Sequence, residues 1–221
     1  MKSLEDPTPA AERAEDPVLR EKIEELRAEL DRARKEAVTD EMTGAYNRRG
    51  FKEKILEGRG RERRRATAIL IVDVDNFKMI NDAYGHDAGD AAVAAAADFL
   101  RANTRSRDTV SRWGGDEFVV AFSGAEAQDI INKFYEPENS ARPMEDRRSK
   151  ISIPVELGGQ KTFVTLSGGI TTMREGESLE EAVARADRAL YRAKEAGKNR
   201  LESADEEGPR SAAAAPAETS G

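Results

Sequence analysis

Residues 112–120 have the sequence RWGGDEFVV, which predicts a β-hairpin with two carboxylates at its tip, Asp116 and Glu117. Gly114 and Gly115 are the residue type that accepts positive φ and lets a phosphate approach the backbone closely. The apolar run FVVAF that starts at residue 118 is typical of a buried strand. An acidic hairpin turn without any function is also consistent with this peptide, because Gly-Gly-Asp is ordinary turn chemistry.

A second acidic stretch lies about forty residues earlier. Residues 68–75, AILIVDVD, form a continuous aliphatic run that predicts a central strand buried on both faces. Such a strand has no structural need to end in two carboxylates. Side chains alternate along a strand, so Asp73 and Asp75 share a face. Together with the acidic hairpin tip, they predict a cluster of hard oxygen ligands suited to Mg²⁺, as phosphoryl-transfer enzymes require.

Four motifs occur in order between residues 39 and 203. They are DEMTGAYNRR at 40–49, DxDxFKxxND followed by GHxxGD at 73–90, GGDEF at 114–118 and ADRALYRAKEAGKNR at 186–200. In this order they resemble the GGDEF family of diguanylate cyclases. The resemblance implies a nucleotidyltransferase of signal transduction that condenses two GTP molecules to c-di-GMP and releases two pyrophosphates. It also implies an α/β (α+β) fold, with a central, mostly antiparallel sheet flanked by helices, similar to the palm of polymerases and to class III nucleotide cyclases.

The resemblance assigns a metal site to the two acidic stretches. The expected ligands of Mg²⁺, or of Mn²⁺ as an alternative, are Asp73, the backbone carbonyl of Val74 and Asp116, with Asp75 as a candidate ligand of a second ion. Glu117 is the candidate for positioning or accepting the proton of the attacking 3′-OH, tuned by Lys78. Water or a metal-bound hydroxide would also serve as the proton acceptor.

The expected substrate contacts come from three of the motifs. They are Phe77, Lys78, Asn81, Asp90, Gly114, Gly115, Lys194 and Lys198. Backbone N–H groups where residues 77–81 turn into a short helix suit the β- and γ-phosphates. By resemblance, Asn81 and Asp90 bind the guanine edge, whose N1–H and N2–H₂ a carboxylate can accept.

Alternatives remain for several of these residues. Asp90 could instead cap the helix predicted over residues 91–102. Lys194 and Lys198, four residues apart on one helix face, point at the triphosphate by resemblance, but they could equally be solvated lysines at a helix end. His86, the only histidine, is predicted to fill the loop at 85–89 rather than to act as a base.

Arg105 and Asp108 form an RxxD pattern, with five residues between Asp108 and Gly114. This spacing resembles the family's inhibitory site, at which the product c-di-GMP restrains the enzyme. An exposed, ion-paired turn is the alternative. The family's site often takes a further arginine from a partner domain or subunit, which the sequence does not place.

Residues 17–38 carry an apolar stripe at heptad spacing, made up of Leu19, Ile23, Leu26, Leu30, Ala33 and Ala37. The stripe is shorter than the three to four heptads of a secure coiled coil. It predicts either an amphipathic helix packed on its own domain or a parallel dimerising stalk. The resemblance favours the stalk, because each subunit would present one GTP and a homodimer would complete the site.

The remaining boundaries follow from composition. Residues 1–16 and 204–221 are predicted to be disordered, and residues 39–203 to form the catalytic domain. Residues 58–65 are predicted to form a solvated basic loop and residues 136–150 a flexible one. A hairpin is predicted around Gly158 and Gly159, and a capped helix over 178–196.

The whole chain has 221 residues, a formal charge of -7 and no cysteine. Its acidic balance argues against a general nucleic-acid binder, and it lacks the run of about 18 apolar residues that a membrane helix needs. A cytoplasmic protein, or a fragment of a longer one, is therefore expected. Two other functions are compatible with the motifs: a non-catalytic c-di-GMP receptor that uses Arg105 and Asp108, and a synthase of mixed or adenine-containing cyclic dinucleotides.

Overall fold

The computed structural model describes residues 17–61, 66–134 and 151–205. The helices are α1 (Pro17–Val38), α2 (Arg48–Arg61), α3 (Phe77–Tyr84), α4 (His86–Ala102), α5 (Ala127–Phe134) and α6 (Leu179–Glu195). The strands are β1 (Tyr46–Asn47), β2 (Thr67–Val74), β3 (Thr109–Arg112), β4 (Glu117–Ser123), β5 (Ser152–Leu157), β6 (Gln160–Thr172) and β7 (Leu201–Ser203). The predicted segments at 1–16 and 136–150, and most of the predicted tail, lie outside the described residues.

The aliphatic strand β2 is the centre of the sheet, as its continuous apolar run predicted. It pairs antiparallel with β4 on one side and with β6 on the other. The strand order is β1-β3-β4-β2-β6-β5, with β7 beside β6. Only the short pairs β1–β3 and β6–β7 are parallel. The predicted fold, a mostly antiparallel sheet flanked by helices, is confirmed.

Alternation along β2 divides the core between the two faces of the sheet. Leu70 and Val72 pack in one cluster with α4, whereas Ile69 and Ile71 pack in the other cluster with α2 and α6. Because side chains two residues apart point to the same face, Asp73 continues the face covered by α6. The helix that packs under β2 therefore also reaches the acidic end of this strand.

Helix α6 lies very close to the sheet because β6 has a glycine at the contact. A Cβ on Gly169 would come within 1.9 Å of the Ala186 carbonyl oxygen of α6. The helix begins with the predicted capping box, in which Ser178 and Glu181 exchange side-chain-to-backbone hydrogen bonds. The sequence thus fixes both where α6 starts and how closely it packs.

Several predicted boundaries were wrong. Helix α4 begins at His86 and includes the predicted loop 85–89 from that residue onward; His86 is exposed there and does not fill a loop. Helix α2 continues through Arg61, so part of the predicted basic loop is helical. The predicted tail began at residue 204, but Ala204 is buried and Asp205 accepts a hydrogen bond from Thr171.

The apolar stripe of α1 is not buried against any other described part of the chain. Four of its side chains are between 39% and 52% exposed, and α1 buries none of its residues. The exposed four are Leu19, Ile23, Leu26 and Leu30. The alternative of a helix packed on its own domain is therefore wrong for this stripe. In the described part of the chain, no helix has the length and apolar character needed to cross a bilayer.

Candidate active site

The two acidic stretches of the sequence meet at the end of β2. Asp73 is directly opposite Glu117 in the β2–β4 ladder, and the Val74 N–H donates to the Asp116 carbonyl oxygen at 3.2 Å. This register places the tip of the β3–β4 hairpin beside the end of the buried strand. Gly114 and Gly115 lie at that tip without positive φ, so the expectation that they need left-handed backbone was wrong. Both are exposed and carry no Cβ, which leaves the backbone of the tip open to a ligand.

The carboxyl groups at this end of the sheet destabilise one another's charge. Burial raises the pKa of Asp116, and the negative charge of Asp73 raises it further. Burial also raises the pKa of Glu117, followed by the charges of Asp187 and Asp73. Asp187, on α6, was not predicted as a site residue. Asp187 belongs to the fourth motif, but only the packing of α6 on the sheet brings it close to Glu117.

A lysine from α6 partly compensates this negative charge. The Lys194 Nζ lies 2.8 Å from Oδ2 of Asp73, and its charge lowers the pKa of Glu117. The sequence analysis predicted that Lys78 would tune the proton affinity of Glu117. Lys78 is exposed on α3. Within the described residues, no three carboxylate or imidazole side chains are arranged to hold a metal ion. The carboxylates of Asp73 and Asp116 lie at this position, and the Lys194 ammonium already contacts Asp73.

Asp75 does not join this cluster. Its carboxylate is only 4% exposed and accepts hydrogen bonds from Ser167 Oγ, Thr165 Oγ1 and the Asn199 N–H. Its described partners lie on β6 and in the turn after α6, away from Asp73 and Asp116. The alternation of strand side chains predicted that Asp73 and Asp75 share a face. In the structure, β2 ends at Val74 and the Asp75 side chain turns towards β6.

The N-terminus of α3 has the features of an anion site. Its N-cap residue, Asn76, has φ 59° and gives no side-chain cap hydrogen bond to the first turn. The Lys198 Nζ donates to Asn76 Oδ1 at 2.7 Å, so a cation stands at this helix end. Lys198 itself lies after α6, with φ 62°, and not on the helix face predicted for it.

Helices α3 and α4 meet closely at Asn81 and Gly89. The Oδ1 atom of Asn81 is buried without a hydrogen-bond partner, and a Cβ on Gly89 would come within 1.9 Å of it. Phe77 is half-buried beside the same glycine, 3.1 Å from the position of that Cβ. Asp90 is exposed in the second turn of α4, so the alternative in which it caps this helix is wrong. A buried polar atom that lacks a partner is the signature expected of a binding group.

An arginine that the sequence did not predict as a site residue holds the hairpin tip. Arg112 donates through Nη2 to the Gly115 carbonyl at 2.7 Å and through Nε to the Gly114 carbonyl at 3.2 Å. Its Nη1 is 3.1 Å from Asp40 Oδ2, in an ion pair whose partners are both largely buried. Burial is outweighed by hydrogen bonds from Thr43 and by the charge of Arg112, so the pKa of Asp40 lies below its ordinary value. Asp40 lies in the first motif, and Arg112 lies two residues before the GGDEF motif. These positions were the only sequence features that could have pointed to a role for either residue.

The comparisons with known proteins agree with this arrangement. Residues 37–200 match the family described as diguanylate cyclase, GGDEF domain. The chain belongs to this family. The resemblance inferred from the four motifs is thereby confirmed.

GGDEF relatives cover the same region of the chain. The chain is 36% identical over 176 residues to the diguanylate cyclase DgcP of Pseudomonas aeruginosa, covering 78% of this chain and 25% of DgcP. It is 34% identical over 182 residues to the diguanylate cyclase VdcA of Vibrio cholerae, covering 81% of this chain and 50% of VdcA. The chain thus spans a quarter to a half of the length of these two relatives.

Solved GGDEF structures share the fold. The coiled coil and GGDEF domain of DgcB from Caulobacter crescentus, in complex with c-di-GMP, matches with a TM-score of 0.72 and 25% identity, covering 86% of this chain and 98% of that one. The diguanylate cyclase SiaD of Pseudomonas aeruginosa, in complex with its activator SiaC, matches with a TM-score of 0.65 and 30% identity, covering 86% of this chain and 72% of that one.

The RxxD turn of this GGDEF chain lies between α4 and β3. Asp108 accepts hydrogen bonds from the main-chain N–H groups of Arg105 at 2.8 Å and Ser123 at 3.1 Å, while the Arg105 side chain is exposed. Arg107, between them, lines a cavity of about 420 Å³ with Ala66, Gly124, Ala125, Glu126 and Asp129. This cavity is at the opposite end of β2 and β4 from Asp73 and Asp116.

Proposed function

We propose that the protein is a diguanylate cyclase that condenses two GTP molecules to c-di-GMP and two pyrophosphates. One observation carries the proposal. The β2–β4 register brings Asp73, Asp116 and Glu117 together, and α6 and the turn after it deliver two ammonium groups to the same edge of the sheet. Carboxylates beside ammonium groups are the chemistry of a metal-dependent reaction on a polyphosphate.

Guanine recognition is proposed for Asn81 and Asp90, where α3 and α4 meet. The unpartnered amide oxygen of Asn81 can accept from guanine, and the exposed Asp90 carboxylate can accept from N1–H and N2–H₂. Adenine offers no matching pair of donors at these positions. These two acceptors therefore favour GTP over ATP.

The triphosphate is proposed to lie across the N-terminus of α3. The first turn of α3 has backbone N–H groups with no side-chain cap, and the helix dipole favours negative charge there. Phe77 and Lys78 contribute those N–H groups, and Lys198 is already held at the N-cap residue. Lys194, at Asp73, would turn to the phosphates when the carboxylate takes another cation.

Asp73, Asp116 and the Val74 carbonyl would hold Mg²⁺, or Mn²⁺ in its place. The raised pKa of Asp116 fits this assignment, because burial and Asp73 leave the pair short of positive charge. When bound, the ion would neutralise triphosphate charge and ease loss of the 3′-OH proton. Asp75 is left out of this ligand set, because its oxygens already accept three hydrogen bonds.

Glu117 is proposed to position the attacking 3′-OH or to accept its proton. Burial and its acidic neighbours raise the pKa of this carboxyl, which makes it a better proton acceptor than an ordinary glutamate. Its position opposite Asp73 places it beside the proposed metal ligands. Gly114 and Gly115, which Arg112 holds, keep the backbone of the tip open to the phosphates.

A parallel homodimer is proposed to complete the site, with one GTP bound by each subunit. The exposed apolar stripe of α1 supports this, because water-exposed leucines at heptad spacing are stabilised by a matching helix. Product inhibition at Arg105 and Asp108 belongs to the same proposal: Asp108 rigidifies the turn and Arg105 remains available to a phosphate. GTP is a cytoplasmic nucleotide, so the reaction would take place in the cytoplasm.

The test is incubation of the purified chain with GTP and Mg²⁺, with and without ATP, and identification of the products by mass spectrometry. We expect c-di-GMP from the wild type, at least about 100-fold less from Asp116→Asn, and wild-type yield from Glu57→Gln, an exposed carboxylate on α2. Absence of product at high protein concentration, with c-di-GMP still bound, would favour a receptor. Mixed or adenine-containing products would favour a synthase with relaxed base selection.

A further inference from the structure

Unusual backbone conformations converge at one point beside the proposed triphosphate site. Among the described residues, the non-glycine residues with positive φ are Asn76 (59°), Lys198 (62°) and Asn199 (47°). The Lys198 Nζ donates to Asn76 Oδ1 at 2.7 Å, so the two-residue turn of Lys198 and Asn199 meets Asn76. Left-handed backbone is tolerated by asparagine but is uncommon for lysine, and it persists only where neighbouring contacts enforce it.

The buried carboxylate of Asp75 enforces this conformation. One oxygen accepts from Ser167 Oγ at 2.6 Å; the other accepts from Thr165 Oγ1 at 2.6 Å and from the Asn199 N–H at 3.0 Å. The Asp75 N–H donates in turn to the Thr165 carbonyl at 2.9 Å. Asp75 thus ties the turn after α6 to β6 through charge-assisted hydrogen bonds, which are stronger than neutral ones.

We infer that Asp75 is a positioning residue: it holds the left-handed turn at Lys198 and Asn199, and so fixes the Lys198 ammonium at the N-terminus of α3, where the triphosphate binds. The inference rests on the proposed function, which supplies the triphosphate. It gives Asp75 a task different from that of Asp73, although the two lie two residues apart in one motif.

The path from Asp75 to the ammonium is short. The Lys198 N–H donates to the Ala193 carbonyl at 3.0 Å, which closes the end of α6, and the next N–H, that of Asn199, donates to Asp75. From between these two anchors, the lysine side chain extends to Asn76. Loss of the second anchor releases two left-handed residues at once and allows the ammonium to leave the site.

The contacts of Asp75 are those of a scaffold rather than of a metal ligand. Among the described residues, its partners are neutral hydrogen-bond donors from β6 and from the turn after α6. Asp73, by contrast, is in contact with the Lys194 ammonium. In Asp75→Asn, the amide oxygen can still accept from the Asn199 N–H, and the amide NH₂ can donate to Ser167 Oγ. This variant therefore tests whether the hydrogen bonds of Asp75 suffice without its negative charge.

The test measures binding as well as turnover. Affinity for a GTP analogue with a methylene bridge between the α- and β-phosphates is measured by calorimetry with Mg²⁺ present, and affinity for GMP by displacement. We expect Asp75→Ala to weaken analogue binding about tenfold with little change for GMP, and Asp75→Asn to stay within about threefold of wild type. Lys198→Ala should match Asp75→Ala.

The double variant decides whether the two residues act together. Asp75→Ala combined with Lys198→Ala should weaken analogue binding about tenfold, not the roughly 100-fold expected for independent residues. Asp205→Ala is the control for a purely structural effect: it breaks a hydrogen-bonded network with Thr171 and Arg185, and should lower Tm without changing the ratio of analogue to GMP affinity.

Several outcomes would overturn the inference. One is that Asp75→Ala binds the analogue as tightly as wild type, and another is that the losses of affinity in the double variant are additive. A third is that Asp75→Asn loses as much Mg²⁺-dependent affinity for the analogue as Asp73→Asn does. If Asp75→Ala does not fold, Thr165→Val with Ser167→Ala removes two of its donors, and equal weakening of analogue and GMP would count against the inference. A wild type that binds the analogue but makes no c-di-GMP overturns the proposed function and leaves the inference standing.

Discussion

Asp73 and Asp75 show how the role of a residue depends on what surrounds it. Both are aspartates of one motif, yet one lies in an acidic cluster beside an ammonium and the other in a buried hydrogen-bonded scaffold. Asn81 and Gly89 are a second case at this scale. The Asn81 side chain occupies the space that a side chain at position 89 would fill, so the position of Asn81 depends on the glycine.

Gly89→Ala tests this matching. The new Cβ would meet Asn81 Oδ1, the end of a flexible side chain, so we expect the asparagine to move and the fold to remain. The KM for GTP should rise about tenfold or more, with Tm changed by only a few degrees. Steady-state kinetics and a thermal melt measure both quantities. A large loss of Tm with unchanged KM would contradict this explanation.

The raised pKa values of Asp116 and Glu117 predict a pH dependence in metal-free protein. Their ordinary values are 3.8 and 4.5, and above these values the folded state binds more protons than the unfolded state. The free energy of unfolding should therefore fall as the pH rises from these ordinary pKa values through the raised pKa values of the folded state. We expect Asp116→Asn to be more stable than wild type by about 0.5–2 kcal/mol at pH 7 in EDTA. Urea melts across pH measure this, and equal stability of the two proteins would refute it.

At the scale of elements, two close contacts place the reacting groups. Gly169 lets α6 approach β6, which brings Lys194 and Asp187 to the end of β2. Arg112 joins the β3–β4 hairpin to Asp40, next to the end of α1, and so fixes the tip that carries Asp116. The geometry of the tip therefore depends on a contact with the segment that follows α1.

Arg112→Lys tests the anchoring of the hairpin. Lysine keeps the charge but cannot reach Asp40 and both glycine carbonyls from one planar group. We expect kcat to fall about tenfold or more while the far-ultraviolet circular dichroism spectrum is retained. Arg49→Lys, at an exposed ion pair on α2, is the matched control and should leave kcat unchanged. Wild-type kcat in Arg112→Lys would show that the tip needs no such anchor.

At the scale of the whole molecule, α1 is the element without a visible packing partner for its apolar stripe in the described structure. The catalytic sheet has a complete core of its own, so stripe residues of α1 can be changed without loss of that core. A second copy of the chain is the proposed partner, and dimerisation and activity should therefore be lost together.

Leu26→Glu tests this coupling. Leu26 is 52% exposed, so the fold should tolerate the change, whereas a glutamate in the seam of a dimer would be desolvated and repelled by its symmetry mate. We expect a monomer by analytical ultracentrifugation and at least about tenfold slower formation of c-di-GMP at micromolar protein. Ala28→Glu makes the same substitution away from the stripe and should stay dimeric and active. A dimer in Leu26→Glu would move the interface elsewhere.

The sequence by itself determined the features that depend on neighbours along the chain. The aliphatic run of β2, the capping box of α6 and the heptad stripe of α1 are local patterns, and each was located from residue types and their period. The four motifs also sufficed to identify the family, because their order and spacing are specific.

Tertiary structure decided the contacts between distant segments. Arg112 and Asp40 lie 72 residues apart, and Asp75 and Asn199 lie 124 apart, so no local period connects them. The left-handed turn at Lys198, the exposure of His86 and the exclusion of Asp75 from the acidic cluster were all mispredicted from the sequence. The physical reason is that hydrogen bonds of a buried carboxylate and close helix–sheet packing override local propensity, and they exist only once the sheet has formed.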